Sequence, residues 1–144
     1  MLSDPSKAYA ICTLILCLNM TVLWLASGAV RGKTKTTPNP EDAKTVVKGS
    51  AVADETPPEV ARVLRAHTNT VVNTVPFLFV AQVYVAAGAS GEMAWALIGT
   101  FTAARVLYSF FYLNGVQPWR TLIFGVGVLA TLATMVHATI LLLG

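Results

Sequence analysis

Four long apolar runs constrain what this chain can fold into more than any other feature. They cover roughly residues 8–30, 71–89, 94–113 and 121–143, and each is close to the ~20 residues that a helix needs to cross a bilayer core. Charged residues make up 12% of a sequence that is 55% hydrophobic, and they lie almost entirely between the runs. The sequence therefore predicts an all-α integral membrane protein, a four-helix bundle forming a single membrane domain over residues 1–144.

The expected helices extend past the apolar runs where the flanking residues favour a helix. We expect helices at about 8–30, 58–89, 94–113 and 118–143, with a polar loop over 31–57. Pro57-Pro58-Glu59 is typical of a helix start, and Pro76 should interrupt the helix that follows. That second helix is longer than the ~30 Å hydrocarbon core and should project from the membrane. The first run exceeds the usual 7–15-residue core of a signal peptide, which favours a retained helix over a cleaved one.

Basic residues lie mainly on one side of the predicted spans. Segment 31–68 carries most of the Lys and Arg, the link between the third and fourth spans adds Arg120, and the opposite side has only Lys7. Because Lys and Arg favour the cytoplasmic side near span ends, we expect both basic loops in the cytoplasm and both termini on the opposite side. Acidic residues interrupt the basic segment, so a nucleic-acid partner is not expected.

A polar stripe enters the second apolar run from its basic end. Helical spacing of three and four residues predicts that Arg62, Arg65, Asn69 and Asn73 share one face. Polar side chains within a membrane usually face a bundle interior or a cavity. This stripe is therefore the first place to expect a binding site.

The third run contains an arginine about eight residues from its basic end. Arg105 shares a helix face with Tyr108 and Tyr112, at spacings of three and seven residues. None of the four runs contains an acidic residue that could pair with it. A ligand, the asparagines, backbone carbonyls or a neighbouring chain would have to satisfy this guanidinium.

The basic helix ends together predict a cationic pocket for an anionic ligand. Arginine binds carboxylate and phosphate groups through two parallel hydrogen bonds. For Arg31 and Arg62 the alternative is ordinary snorkelling to the membrane surface. No nucleophilic triad, metal cluster or phosphate loop is recognisable, so we expect no metal, and a nucleophile would arrive with the ligand. The candidate residues are Arg31, Arg62, Arg65, Asn69, Asn73, Arg105, Tyr108, Tyr112 and Arg120.

Three segments resemble a known family over nearly the whole chain. They are Asn39-Pro-Glu-Asp42, the stretch from Arg62 through Arg-Ala-His-x-Asn69 to Pro76-Phe-Leu, and Ala104-Arg-Val-Leu-Tyr-Ser-Phe-Phe-Tyr-Leu113. The chain resembles the MAPEG family, the membrane-associated proteins in eicosanoid and glutathione metabolism. Within it, the resemblance is to the branch of microsomal glutathione transferase 1 and prostaglandin E synthase.

The resemblance implies a homotrimer of four-helix subunits, with glutathione bound between adjacent subunits near the cytoplasmic face. It implies a glutathione transferase acting on lipophilic electrophiles that arrive from the bilayer, and leaves open glutathione peroxidase activity on lipid hydroperoxides. Arg120 resembles the family arginine that lies next to the glutathione sulfur and would favour the thiolate there. The other family positions match Arg31, Arg65, Asn69, Arg105 and Tyr112.

The sequence departs from the family pattern in ways that bear on function. Val72 stands where the family usually has a glutamate that helps to hold glutathione, and Asn73 beside it could serve only as a neutral acceptor. Tyr108 and Phe124 stand where relatives often have histidine and tyrosine. Two alternatives therefore remain, a non-catalytic lipid-binding or scaffold protein of the same fold and a glutathione-dependent isomerase of lipid endoperoxides.

Overall fold

The computed structural model describes residues 4–144 and confirms the predicted four-helix architecture. Four of its helices are long and apolar enough to cross a membrane. A short helix and two short strands lie in the loop between the first two spans. The elements are α1 (Pro5–Thr34), β1 (Thr36–Thr37), α2 (Pro40–Lys44), β2 (Ala51–Val52), α3 (Pro58–Ala86), α4 (Gly91–Leu113) and α5 (Trp119–Leu143).

Local capping explains where the helix ends differ from the expected boundaries. α1 begins earlier than expected because the Asp4 side chain accepts a hydrogen bond from the Ser6 amide at 2.9 Å and Pro5 occupies the first turn. It continues to Thr34 and ends where Lys35 adopts a left-handed conformation, with φ 50°. α4 begins at Gly91 because Ser90 caps the Met93 amide. α3 passes Pro76 without a break.

α4 is the central helix of the bundle. It packs extensively against α5 and α1, and also contacts α3, while α1 packs against α3. The rings of Phe77 on α3 and Phe101 on α4 stack with centroids 3.6 Å apart. Many interior positions are small, which lets helices approach closely in a membrane, where packing rather than water exclusion drives association. The buried alanines and glycines within the helices are Ala8, Ala66, Ala81, Gly91, Ala94, Ala104, Gly127, Ala130 and Ala138.

Interhelical hydrogen bonds hold the bundle at two depths. The Asn19 amide on α1 donates to the Ser109 hydroxyl on α4 at 3.0 Å. Near the end of the bundle where α3 and α5 terminate, the Tyr84 hydroxyl on α3 and Nδ1 of His137 on α5 lie 2.7 Å apart. Such bonds satisfy polar groups that have no water partner inside a bilayer.

The two ends of the bundle differ in the structure they carry. One end, called the loop end below, holds the segment from Lys35 to Pro57 and the link from Asn114 to Pro118. In the loop, β1 and β2 pair in parallel, with Thr36 opposite Ala51. In the part of the chain that the structure describes, the other end carries the turn over residues 87–90, the start of α1 and the end of α5. The functional candidates cluster at the loop end.

Candidate functional site

An open groove of about 530 Å³ lies between α3 and α4 at the loop end. Arg65, Asn69 and Val72 contribute from α3, and Tyr108 and Tyr112 contribute from α4. The residues from α3 lie three and four positions apart, so each turn of the helix places one more on this side. Leu64 and Thr68 complete the wall.

A second recess of about 240 Å³ continues this groove toward α5. Asn69 and Tyr108 line both cavities. Arg120, Thr121 and Phe124 supply the wall from α5. We call the two cavities together the polar groove. It joins five predicted site residues in one continuous surface: Arg65, Asn69, Tyr108, Tyr112 and Arg120.

The guanidinium of Arg120 is held against an aromatic face. Its central carbon lies 4.8 Å from the centre of the Tyr112 ring, a distance at which a cation is attracted to the ring quadrupole. The Tyr112 ring in turn lies 5.5 Å from that of Tyr108. A cation therefore stands at the α5 side of the polar groove, and Arg65 supplies another on the α3 side.

Asn73 lies one turn from Asn69 on α3, and its side chain contacts that residue. The Asn73 side-chain nitrogen donates to the Asn69 carbonyl at 2.8 Å and lies 3.4 Å from the Asn69 side-chain oxygen. With that oxygen turned toward Asn73, the Asn69 amide nitrogen is the group left to donate into the groove. Asn73, a predicted site residue, lines neither cavity and contacts the groove only through Asn69.

Arg105 lies behind the groove wall, inside the bundle. Only 1% of the residue is exposed. Its guanidinium carbon is 5.1 Å from the Phe101 ring, 5.7 Å from the Tyr108 ring and 5.1 Å from the Phe124 ring. Its Nε and Nη1 are buried without hydrogen-bond partners among residues 4–144. Three aromatic faces therefore surround this cation. Two of these rings, Tyr108 and Phe124, also line the polar groove.

Arg62 and Arg31 lie apart from the polar groove within the single chain. Arg62 lines a cavity of about 490 Å³ with Ala26, Val30 and Leu113, on the side of α3 that faces α1. Arg31 lines a separate pocket of about 350 Å³ formed by the end of α1 and the loop, near Asp42. The predicted stripe on α3 is thus divided, with Arg62 on one side and Arg65 on the other.

Besides the remaining wall residues from α3, the structure places three further residues in or beside the groove that were not site candidates from the sequence. Thr121 and Phe124 line the recess, and Gln117 lies beside Arg120. Helical spacing of one and four residues from Arg120 could have indicated Thr121 and Phe124. Gln117 precedes α5, and its position relative to Arg120 in the sequence did not indicate a contact between the two side chains.

The donor set of the polar groove determines which ligands it suits. Arginine, asparagine, threonine and tyrosine groups point to an anion that accepts hydrogen bonds. Among residues 4–144, no carboxylate lines the groove. Val72, 63% exposed, presents an apolar surface where a negative group would hold a cation. The groove is therefore suited to an anionic ligand with an apolar neighbour.

The fold and this groove define the class, an integral membrane protein with a cationic site at one end of a four-helix bundle. The chain belongs to the MAPEG family, which matches residues 9–140. It is 34% identical to prostaglandin E synthase of Homo sapiens over 114 residues, covering 78% of this chain and 74% of the relative. It is 33% identical to microsomal glutathione S-transferase 1 of Bos taurus over 134 residues, covering 91% of this chain and 86% of the relative.

Proposed function

We propose that this protein is a membrane-bound glutathione transferase that conjugates glutathione to lipophilic electrophiles. The observation that carries the proposal is the placement of Arg120. Its guanidinium lies on the Tyr112 ring and lines a recess with Asn69 and Tyr108. The named relatives include a glutathione S-transferase, which supports glutathione as the co-substrate.

The chemistry requires the glutathione thiol to lose a proton before it attacks. A thiol with a pKa near the ~8.5 of free cysteine is mostly protonated at neutral pH. A guanidinium beside the sulfur favours the thiolate and so lowers the pKa of the bound thiol. The thiolate then forms a carbon–sulfur bond with the electrophile, and the leaving group departs with its electron pair while the thiol proton goes to water. In this proposal Arg120 is the catalytic residue.

The remaining groove residues fit most of the glutathione molecule. Its two carboxylates suit Arg65 and the amide nitrogen of Asn69. Its ammonium group has no carboxylate partner among the described residues that line the groove. Asn73 is engaged with Asn69 and can offer only a neutral oxygen. We therefore expect glutathione to bind more weakly than it would with a glutamate at position 72.

We further propose that the subunits assemble as a homotrimer through the exposed face of α3. Polar side chains on a membrane helix usually face protein rather than lipid, and this face carries Arg65, Thr68 and Gln82. Apart from exposed residues such as Pro76 and Val83, seven exposed positions on α3 follow the alternating spacing of three and four residues that is typical of helices paired along a seam. They are Arg65, Thr68, Val72, Val75, Phe79, Gln82 and Ala86. Native mass spectrometry of the detergent-solubilised protein tests the assembly, and a monomer would contradict it.

The orientation that we propose places the loop end in the cytoplasm. Lys33 at the end of α1 and Lys35, Lys44 and Lys48 in the loop lie close to the helix ends, and Lys and Arg are retained on that side. Labelling of a single introduced cysteine at Lys44 in sealed vesicles tests this. If the cysteine is labelled only by a reagent confined to the non-cytoplasmic side, the loop end does not face the cytoplasm and the proposed orientation is wrong.

Conjugation of glutathione to a chloronitrobenzene substrate tests the transferase activity directly. The purified wild-type protein in detergent should form the conjugate and release chloride. Arg120→Ala should lose most of the activity, because the thiolate loses its cation. Lys48→Ala removes a positive charge from the exposed loop and should retain activity. Equal activity of Arg120→Ala and the wild-type protein would exclude the proposed role of Arg120.

A glutathione-dependent isomerase of lipid endoperoxides is the second candidate. Several relatives are named prostaglandin E synthase, and this observation favours it. Isomerisation breaks the oxygen–oxygen bond and converts one oxygen to a carbonyl and the other to a hydroxyl, so glutathione is not consumed. Product analysis with a lipid endoperoxide separates this reaction from conjugation. Hydroperoxide reduction would instead oxidise two glutathione molecules to the disulfide for each alcohol formed.

A non-catalytic lipid-binding or scaffold role is distinguished by binding alone. Calorimetric titration of the purified protein with glutathione should give saturable heat. The absence of binding at millimolar glutathione would contradict both enzymatic candidates. It would favour the scaffold role, for which the apolar Val72 is the supporting feature.

A further inference from the structure

Gln117, in the link before α5, contacts the guanidinium of Arg120. With its amide oxygen turned toward Arg120, the oxygen accepts from Nε at 3.1 Å and from Nη2 at 2.6 Å. The amide nitrogen then donates to the Thr121 hydroxyl at 3.1 Å. The opposite orientation would set the amide N–H groups against guanidinium N–H groups, donor facing donor. The paired orientation is therefore the stable one.

These contacts restrain Arg120 along one edge and over one face. Gln117 takes the Nε hydrogen and one Nη2 hydrogen, while the Tyr112 ring covers the face at 4.8 Å. The hydrogens on Nη1 and the second Nη2 hydrogen remain unused by Gln117. Arg120 also lines the recess with Asn69, Tyr108 and Phe124. The unused edge is the part of the guanidinium that can donate to a ligand there.

We propose that Gln117 is a positioning residue that holds Arg120 with its free N–H edge toward the glutathione sulfur. This inference rests on the proposed transferase function and goes further by assigning how its catalytic cation is oriented. Gln117 acts through Arg120 and does not touch the substrate. A neutral acceptor suits this role because it fixes the guanidinium and leaves the full positive charge to act on the thiolate.

A glutamate at position 117 separates positioning from simple support of the helix start. Glutamate has the same shape, can accept from the same two guanidinium nitrogens and can accept from the Thr121 hydroxyl. If Gln117 only stabilises the first turn of α5, Gln117→Glu should behave like the wild-type protein. If it positions a cation that must keep its charge, the carboxylate should offset that charge and raise the pKa of the bound thiol.

The experiment measures thiolate absorbance of bound glutathione and conjugation rates across pH for wild-type, Gln117→Glu and Gln117→Met protein. We expect Gln117→Glu to conjugate glutathione about tenfold more slowly at neutral pH, because a rise of about one unit in the pKa of the bound thiol lowers the thiolate population about tenfold. Its conjugation rate should recover at alkaline pH. Gln117→Met has similar length but lacks an acceptor. It should lower kcat on the order of tenfold through misorientation of the cation, with the KM for glutathione little changed.

Each outcome bears on a separate claim. A wild-type pH profile and kcat for Gln117→Glu, beside an active wild-type protein, overturn the positioning role and leave the transferase intact. A wild-type protein with no thiolate signal overturns the proposed function and this role with it. If Gln117→Glu fails to fold, a kcat for Gln117→Met equal to that of the wild-type protein still overturns the role.

Discussion

The guanidinium of Arg105 occupies the space that any side chain at position 127 would need. A Cβ atom on Gly127 would lie 2.7 Å from Nη2 and 3.1 Å from Nε of Arg105. The guanidinium is bracketed by Phe101, Tyr108 and Phe124, so it has little room to withdraw. Gly127 on α5 and Arg105 on α4 are thus matched across the most extensive helix contact of the bundle.

Gly127→Ala should therefore destabilise the protein. Overpacking a well-packed interior costs about 1–3 kcal/mol, and we expect a lower midpoint of thermal unfolding in detergent. Gly125→Ala is the matched control, because a Cβ there meets nothing within 4 Å among the described residues and alanine favours a helix over glycine by up to ~1 kcal/mol. Equal midpoints for the two variants would mean that Arg105 moves freely.

Arg105→Met should reduce activity far more than it reduces stability. A buried cation without hydrogen-bond partners adds little net stability, and apolar replacements of buried charges are often neutral or stabilising. The Tyr108 and Phe124 rings would lose the cation between them, and the groove wall would shift. We expect a thermal midpoint close to that of the wild-type protein and conjugation reduced on the order of tenfold. A variant with wild-type conjugation would show that Arg105 does not support the groove.

The double variant Gly127→Ala with Arg105→Met tests the pairing of these two positions. A flexible methionine leaves room for the alanine methyl group, so the loss of stability caused by Gly127→Ala should largely disappear. Double-mutant analysis of residues in contact commonly gives coupling of about 0.5–3 kcal/mol. Additive changes in the thermal midpoints would contradict direct contact between the two sites.

Val72→Glu should strengthen glutathione binding. The carboxylate would enter the groove at an exposed position and pair with the ligand ammonium, an interaction worth about 0.2–1 kcal/mol in a solvated setting. We expect roughly 2- to 5-fold tighter binding by calorimetry. Val46→Glu, at an exposed position in the loop, is the control for added charge. Unchanged or weaker binding by Val72→Glu would argue against a glutathione ammonium at this place.

Asn73→Ala should weaken glutathione binding while leaving turnover intact. Loss of the contact with Asn69 lets the Asn69 amide rotate, and its donor is no longer held toward the groove. A hydrogen bond is worth about 0.5–1.5 kcal/mol, so we expect KM for glutathione to rise several-fold with kcat retained. A fall in kcat with KM unchanged would assign Asn73 a different role.

The four spans and the grouping of cations at one end could be predicted from the sequence alone. The reason is that both depend on short-range properties, namely runs of apolar residues, helix-starting prolines and the position of basic residues relative to span ends. The MAPEG family was recognisable for a similar reason, since its motifs are contiguous segments such as Arg65-Ala-His-x-Asn69. Exact helix ends differed where single capping residues, Asp4 and Ser90, decided them.

Only the tertiary structure decided which of the predicted polar residues share a cavity. Positions three apart on a helix differ by about 60° around its axis, so neighbouring helices can divide Arg62 from Arg65. The burial of Arg105 behind Tyr108 depends on how α4 rotates between α1 and α5, and the contact of Gln117 with Arg120 depends on the path of a short link. These are relations between elements, whose rotations are set by packing of small and aromatic side chains rather than by local sequence.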